Sequence, residues 1–101
     1  MTPKEFQQTI EAKEPPSSLS APLMALWYDA QDDWDKAHDF AQRNNDSESA
    51  WVHAYLHRKE GDLTNANYWY VRASRTMPEH RLGEEWEHIV QELLSHHPAQ
   101  L

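Results

Sequence analysis

The chain has 101 residues, the size of one domain, and its balance of 39% hydrophobic to 26% charged residues is too apolar for a disordered segment. Nine Lys and Arg against seventeen Asp and Glu leave a net charge of -8 at pH 7, which repels phosphate backbones and anionic lipid, so neither nucleic acid nor a membrane is expected as a partner. With no cysteine, disulfides, thiolate metal sites and thiol nucleophiles are excluded, and with no signal-like run after Met1 and no apolar stretch near the roughly 20 residues of a membrane span, a cytoplasmic protein is expected.

Thr2-Pro3-Lys4-Glu5 sets a hydroxyl at a helix cap, a proline in the first turn and a glutamate three residues on, the grammar of a capping box. A helix is predicted from there to about Lys13, with Phe6 and Ile10 one turn apart as its narrow apolar stripe. Pro15-Pro16 ends it, so residues 1–16 read as an N-terminal helix and a stiff linker.

Residues 20–45 read as a helical hairpin. Ser20-Ala21-Pro22 starts a helix with Leu23, Met24, Leu26, Trp27 and Ala30 apolar, and Asp33 caps a second that turns Trp34, Ala37, Phe40 and Ala41 inward. Residues 48–75 repeat the scheme: Trp51, Val52, Ala54, Tyr55 and Leu56 lie on the first helix, Gly61-Asp62 supplies a left-handed stop and a new cap, and Leu63, Ala66, Trp69, Tyr70 and Ala73 line the second. Residues 82–97 form a last helix whose apolar side carries Trp86, Ile89, Val90, Leu93 and Leu94. Its wet side is assigned to Glu84, Glu85, Glu87, Gln91 and Glu92, as a C-terminal capping helix requires.

The two hairpins superimpose at a shift of 29 residues, with Asp33 falling on Asp62, Ala37 on Ala66 and Phe40 on Trp69. Small residues at Ala37 and Ala66 suit a close helix crossing, and the large residue three positions later fills the space beyond. Gly61-Asp62-Leu63-Thr64-Asn65-Ala66, followed by Tyr68-Trp69-Tyr70-Val71-Arg72-Ala73, resembles the second half of a Sel1-like or tetratricopeptide repeat. The stretch that includes Trp51-Val52-His53-Ala54-Tyr55-Leu56-His57-Arg58 is also similar to a family of short, uncharacterised bacterial proteins. The resemblance covers about residues 20–75 and implies an all-α fold of two tetratricopeptide-like hairpins, flanked by the terminal helices. Two units are fewer than the three or so that a free-standing stack needs, so those flanking helices must complete the core.

Two chemistries remain open. Tyr68-Trp69-Tyr70 occupies successive positions about 100 degrees apart, so at least one ring must face outward. An aromatic groove of Trp27, Trp51, Tyr55, Tyr68 and Trp69 would then serve a non-enzymatic module that binds a protein, a peptide or a second copy, with no cofactor. His53 and His57, one helical turn apart, are instead the spacing at which two imidazoles grip a divalent transition metal, with Asp29, His38 or Glu60 as a third ligand. The bland alternative is a pair of solvated or hydrogen-bonded histidines beside an aromatic core. His96-His97 is a weaker pair near the C-terminus. Asp29, Asp32, Asp33, Asp35 and Asp39 read as caps and solvated surface, since no glycine bend and closing glutamate make a calcium loop. With only Gly61 and Gly83, neither a phosphate loop nor a nucleophile elbow can form, and no catalytic residue is assigned.

Overall fold

The computed structural model describes residues 1–96 and holds six helices with no strand among them. They are α1 (Pro3–Thr9), α2 (Ala21–Ala30), α3 (Trp34–Ala41), α4 (Ser47–Glu60), α5 (Leu63–Arg72) and α6 (Leu82–His96). No helix among the described residues is long and apolar enough to cross a membrane. His97, the second member of the C-terminal histidine pair and the last residue assigned to the final helix, lies outside the described residues.

The starts of α1, α3, α4 and α5 follow from a side chain placed to satisfy free backbone N–H groups. Thr2 and Glu5 form the reciprocal capping box on α1, and Asp33, Asp46 and Asp62 accept from the backbone N–H three residues on. Ser20 stands at the cap of α2 but its buried hydroxyl makes no bond. Helix α1 stops at Thr9, four residues short of the expected end. Past Ile10 it has no apolar residue to dock except Ala12, and its last carbonyls are taken from outside: Trp27 Nε1 donates to Thr9 and the Gln31 amide donates to Ile10.

The two hairpin turns are built alike. Asp32 and Gly61 both adopt the left-handed conformation, at φ 60° and 91°. The next residue, Asp33 or Asp62, donates its N–H to the carbonyl five back, on Tyr28 or His57, at 3.1 and 3.0 Å. Its carboxylate then accepts from Lys36 or Asn65 at 3.1 and 3.2 Å. The 29-residue shift is therefore a repeat of turn geometry. Glycine adopts this backbone without strain; Asp32 does so against the clash of its Cβ.

The most extensive packing is α2 on α3 and α4 on α5, and α4 also meets α3, α6 and α2. Helix α4 is thus the centre of the molecule, and Ser49 through His57 are all buried. Helix α6 does not cap the second hairpin by lying along α5. It runs back over α4, α2 and α1, where Trp86 meets Phe6 at 5.9 Å and donates to the Leu26 carbonyl. The physical reason is that α4 has apolar residues around its whole circumference and needs covering on every side.

Glu85, assigned to the wet side of this helix, is 1% exposed. Its carboxylate accepts from Arg58 at 2.8 Å, from the Tyr70 hydroxyl at 2.6 Å and from Trp51 Nε1 at 3.3 Å. Burial first, and the bond to Glu85 second, push the Tyr70 pKa up and keep its hydroxyl a donor. Asp29 is buried in the same manner: Tyr55 donates to one oxygen at 2.9 Å and Lys59 to the other at 2.8 Å. Leu63, expected inward, is 54% exposed. It is the first residue of α5, beside the left-handed turn, where α4 has ended and leaves little to cover it.

Candidate functional site

The central position of α4 carries His53 and His57 into the interior, at 5% and 7% exposed. On α3, Trp34, His38 and Ala41 share the row that looks toward them, so His38 completes a group of three imidazoles. His53 and His57 stack at 4.8 Å between ring centres, and His38 meets them edge-on at 4.6 and 5.2 Å. One ring nitrogen from each of the three lies within 4.8 Å of the other two. Tryptophans close both ends: Trp34 lies flat on His38 at 4.9 Å, and Trp69 lies flat on His53 at 4.0 Å.

Second-layer groups fix the rings. Glu60 Oε2 sits 2.5 Å from His57 Nδ1, and the Asn65 amide lies 3.4 Å from Nε2. Glu60 on Nδ1 thereby orients the ring in the way a carboxylate orients a ligating histidine. Trp34 Nε1 donates to the Leu56 carbonyl, which pins the wall over His38. His53 Nδ1 is buried with no hydrogen-bond partner, a state that costs about 1–3 kcal/mol unless something answers it. Burial, then repulsion from His38 and His57, hold the pKa of His53 down at about 4. The same two causes lower that of the half-buried His38, with Glu60, Asp35 and Asp39 opposing. Both rings are therefore neutral near pH 7, the form that ligates metal.

Of the three residues offered as a third ligand, His38 reaches the pair, Glu60 stands behind His57, and Asp29 is on the far side of α4 with Tyr55 and Lys59. The expected aromatic groove is dispersed. Trp27, Trp51 and Tyr55 are buried, each with its polar atom bonded inward: to Thr9, Glu85 and Asp29. Only Tyr68 is open, at 55%, and Trp69 is shared between Tyr68 on one side and His53 on the other. Trp34 and Asn65, absent from the expected site, are part of it. Trp34 was legible as the residue one turn before His38, and Asn65 carried no signal beyond its place after the Asp62 cap.

Comparison with family models, with curated proteins and with solved structures gives no match to this chain.

Proposed function

We propose that the protein binds a divalent transition metal through His38, His53 and His57. The observation that carries this reading is the convergence of three imidazoles from two helices, with ligand atoms within 4.8 Å of one another. Nitrogen donors without a carboxylate in the inner set suit zinc, nickel, cobalt or copper and not magnesium or calcium. Zinc–nitrogen bonds of about 2.0–2.1 Å in a tetrahedron place the nitrogens about 3.3 Å apart, so donors at the 4.8 Å limit draw together by about 1.5 Å through side-chain rotations on α3 and α4. Three protein ligands leave a fourth position open. Of the two carboxylates near His57, Glu60 is bonded to its ring and Asp62, within 4.8 Å of both, caps α5 through the Asn65 N–H, so both acids have structural partners and the reading is of a binding protein and not of a hydrolase. The scaffold we read as a pair of tetratricopeptide-like hairpins, a reading supported by the repeated Asp32-Asp33 and Gly61-Asp62 turns.

The test is calorimetric titration of tag-free protein with zinc, nickel and cobalt. One ion per chain is expected, with the visible absorption of tetrahedral cobalt. At free metal about 100 times Kd, linkage adds about 2.7 kcal/mol to stability. His38→Ala and His57→Gln should each weaken binding at least tenfold, whereas His88→Ala, which alters a surface histidine beside Glu92, should leave it unchanged. Absence of heat and of any rise in melting temperature with all three metals would sink the proposal.

A further inference from the structure

Helix α5 lies along α4 and along no other helix, while α6 runs over α4, α2 and α1 and meets α5 at its inner edge, where Glu85 accepts from the Tyr70 hydroxyl. The outer face of α5 is therefore left open, and it holds all three of the large exposed hydrophobics among the described residues: Leu63 at 54%, Tyr68 at 55% and Val71 at 66%. The charge around it is also unlike the rest of the molecule. From Leu63 to Pro78 there is no acidic residue, in a chain that carries seventeen.

We infer that this face pairs with the same face of a second copy, antiparallel about a two-fold axis passing between Asn67 and Tyr68. Three features support that occupant. Two chains of net charge -8 repel wherever carboxylates approach, and the acid-free α5 face lets them meet without opposing like charges. An isologous contact requires a surface complementary to itself. On α5, residues whose numbers sum to 135 face each other in the antiparallel register, so Thr64 meets Val71, Asn67 meets Tyr68, and Leu63 meets the stem of Arg72 beside Val71. Each apolar end is covered by the other, and the Tyr68 rings flank the axis. The ends also match in sign, because Asp62 at the start of one helix comes near Arg72 at the end of the other, with the two helix dipoles opposed. A single ten-residue helix offers less area than the ~800 Å² per partner of a standard stable interface. The dimer is accordingly a weak, reversible one between folded monomers, independent of the histidine site.

Sedimentation equilibrium up to millimolar concentration, in the presence of a chelator so that no metal bridges two copies, tests the inference. The mass is expected to rise with concentration from the 11.9 kDa of one chain toward twice that value. Val71→Glu, at a position already two-thirds exposed, should keep the same helicity and melting temperature and weaken association at least tenfold. The chain has no cysteine of its own, so Asn67→Cys should oxidise to a covalent dimer, while Asp39→Cys, exposed on α3, should not. A monomer at every concentration overturns the proposal. So does a dimer indifferent to Val71→Glu, or equal cross-linking of the two cysteine variants.

Discussion

Replacing Glu85 by alanine should remove a large share of the protein's stability, although the residue is one of five glutamates and glutamines on a surface-like stretch. The side chain of Arg58 is 14% exposed and that of Glu85 1%, so deletion of the carboxylate strands a guanidinium that keeps only the His80 carbonyl. It also leaves the Tyr70 hydroxyl and Trp51 Nε1 without their acceptor. Removing one partner of a buried pair costs about 3–5 kcal/mol, against a total stability of about 5–15 kcal/mol for a domain. At about 4–8 °C per kcal/mol for a domain of this size, the melting temperature should fall by at least 12 °C or so. Glu85→Gln keeps an acceptor and loses only the charge, and should cost about 1.5–3 kcal/mol. Urea denaturation followed by circular dichroism reads both values. The combined variant Arg58→Met, Tyr70→Phe, Glu85→Leu removes the network together with its desolvation and should recover most of the loss. If Glu85→Ala stays within about 1 kcal/mol of wild type, the surface range of substitutions, the carboxylate does not hold α6 to α4 and the argument fails.

The metal-free protein should lose stability as pH falls from about 6.5 to about 4. The folded pKa of His53 is depressed to about 4 from 6.5, so in that window the unfolded chain takes up a proton that the folded chain refuses. Stability is full above the unfolded value and the loss is complete below the folded one, with a magnitude on the order of 3 kcal/mol. The depressed pKa of His38 adds in the same direction. Chemical denaturation at a series of pH values, repeated with His53→Leu, checks this; a wild-type slope unchanged in the variant would contradict it. Asp32→Gly should stabilise by about 0.5–1 kcal/mol, because φ 60° strains any residue with a Cβ and Asp33, not Asp32, makes the cap. A thermal melt that shows no gain would place the strain elsewhere.

The parts of the fold that could be read in the sequence are those governed by local chemistry. Thr2, Asp33 and Asp62 cap because a short polar side chain reaches the third N–H, and Gly61 stops a helix because it tolerates positive φ; neighbours in sequence suffice for both. Helix geometry alone required at least one of Tyr68, Trp69 and Tyr70 to face outward, and Tyr68 is the one that does. Charge at a distance was the failure. Glu85 and Asp29 read as surface because an acid is normally wet, yet each meets a tyrosine and a cation from α4 or α5, whose positions depend on tertiary packing. Glu85 does lie on the row of Ile89 and Leu93, so its spacing spoke for burial while its chemistry spoke against it. In the histidine site, His53 and His57 were visible as an i, i+4 pair, whereas the convergence of His38, Trp34, Asn65 and Trp69 needed the crossing of α3, α4 and α5. The destination of α6 was likewise hidden, since an amphipathic stripe states that a face is covered and not by which helix.

That return of α6 divides the chain by the order in which it can fold. The pairs α2 with α3 and α4 with α5 close loops of three and two residues, for which the entropy loss is small, and such local contacts form on the timescale of microseconds. Helix α6 must instead reach back to α2 and α1, with Trp86 meeting Leu26 and Phe6 across most of the chain. Closing the two ends therefore carries the largest loop-closure entropy in the fold. The histidines of α3 and α4 assemble through elements close in sequence, so the site can form before the molecule has closed around it.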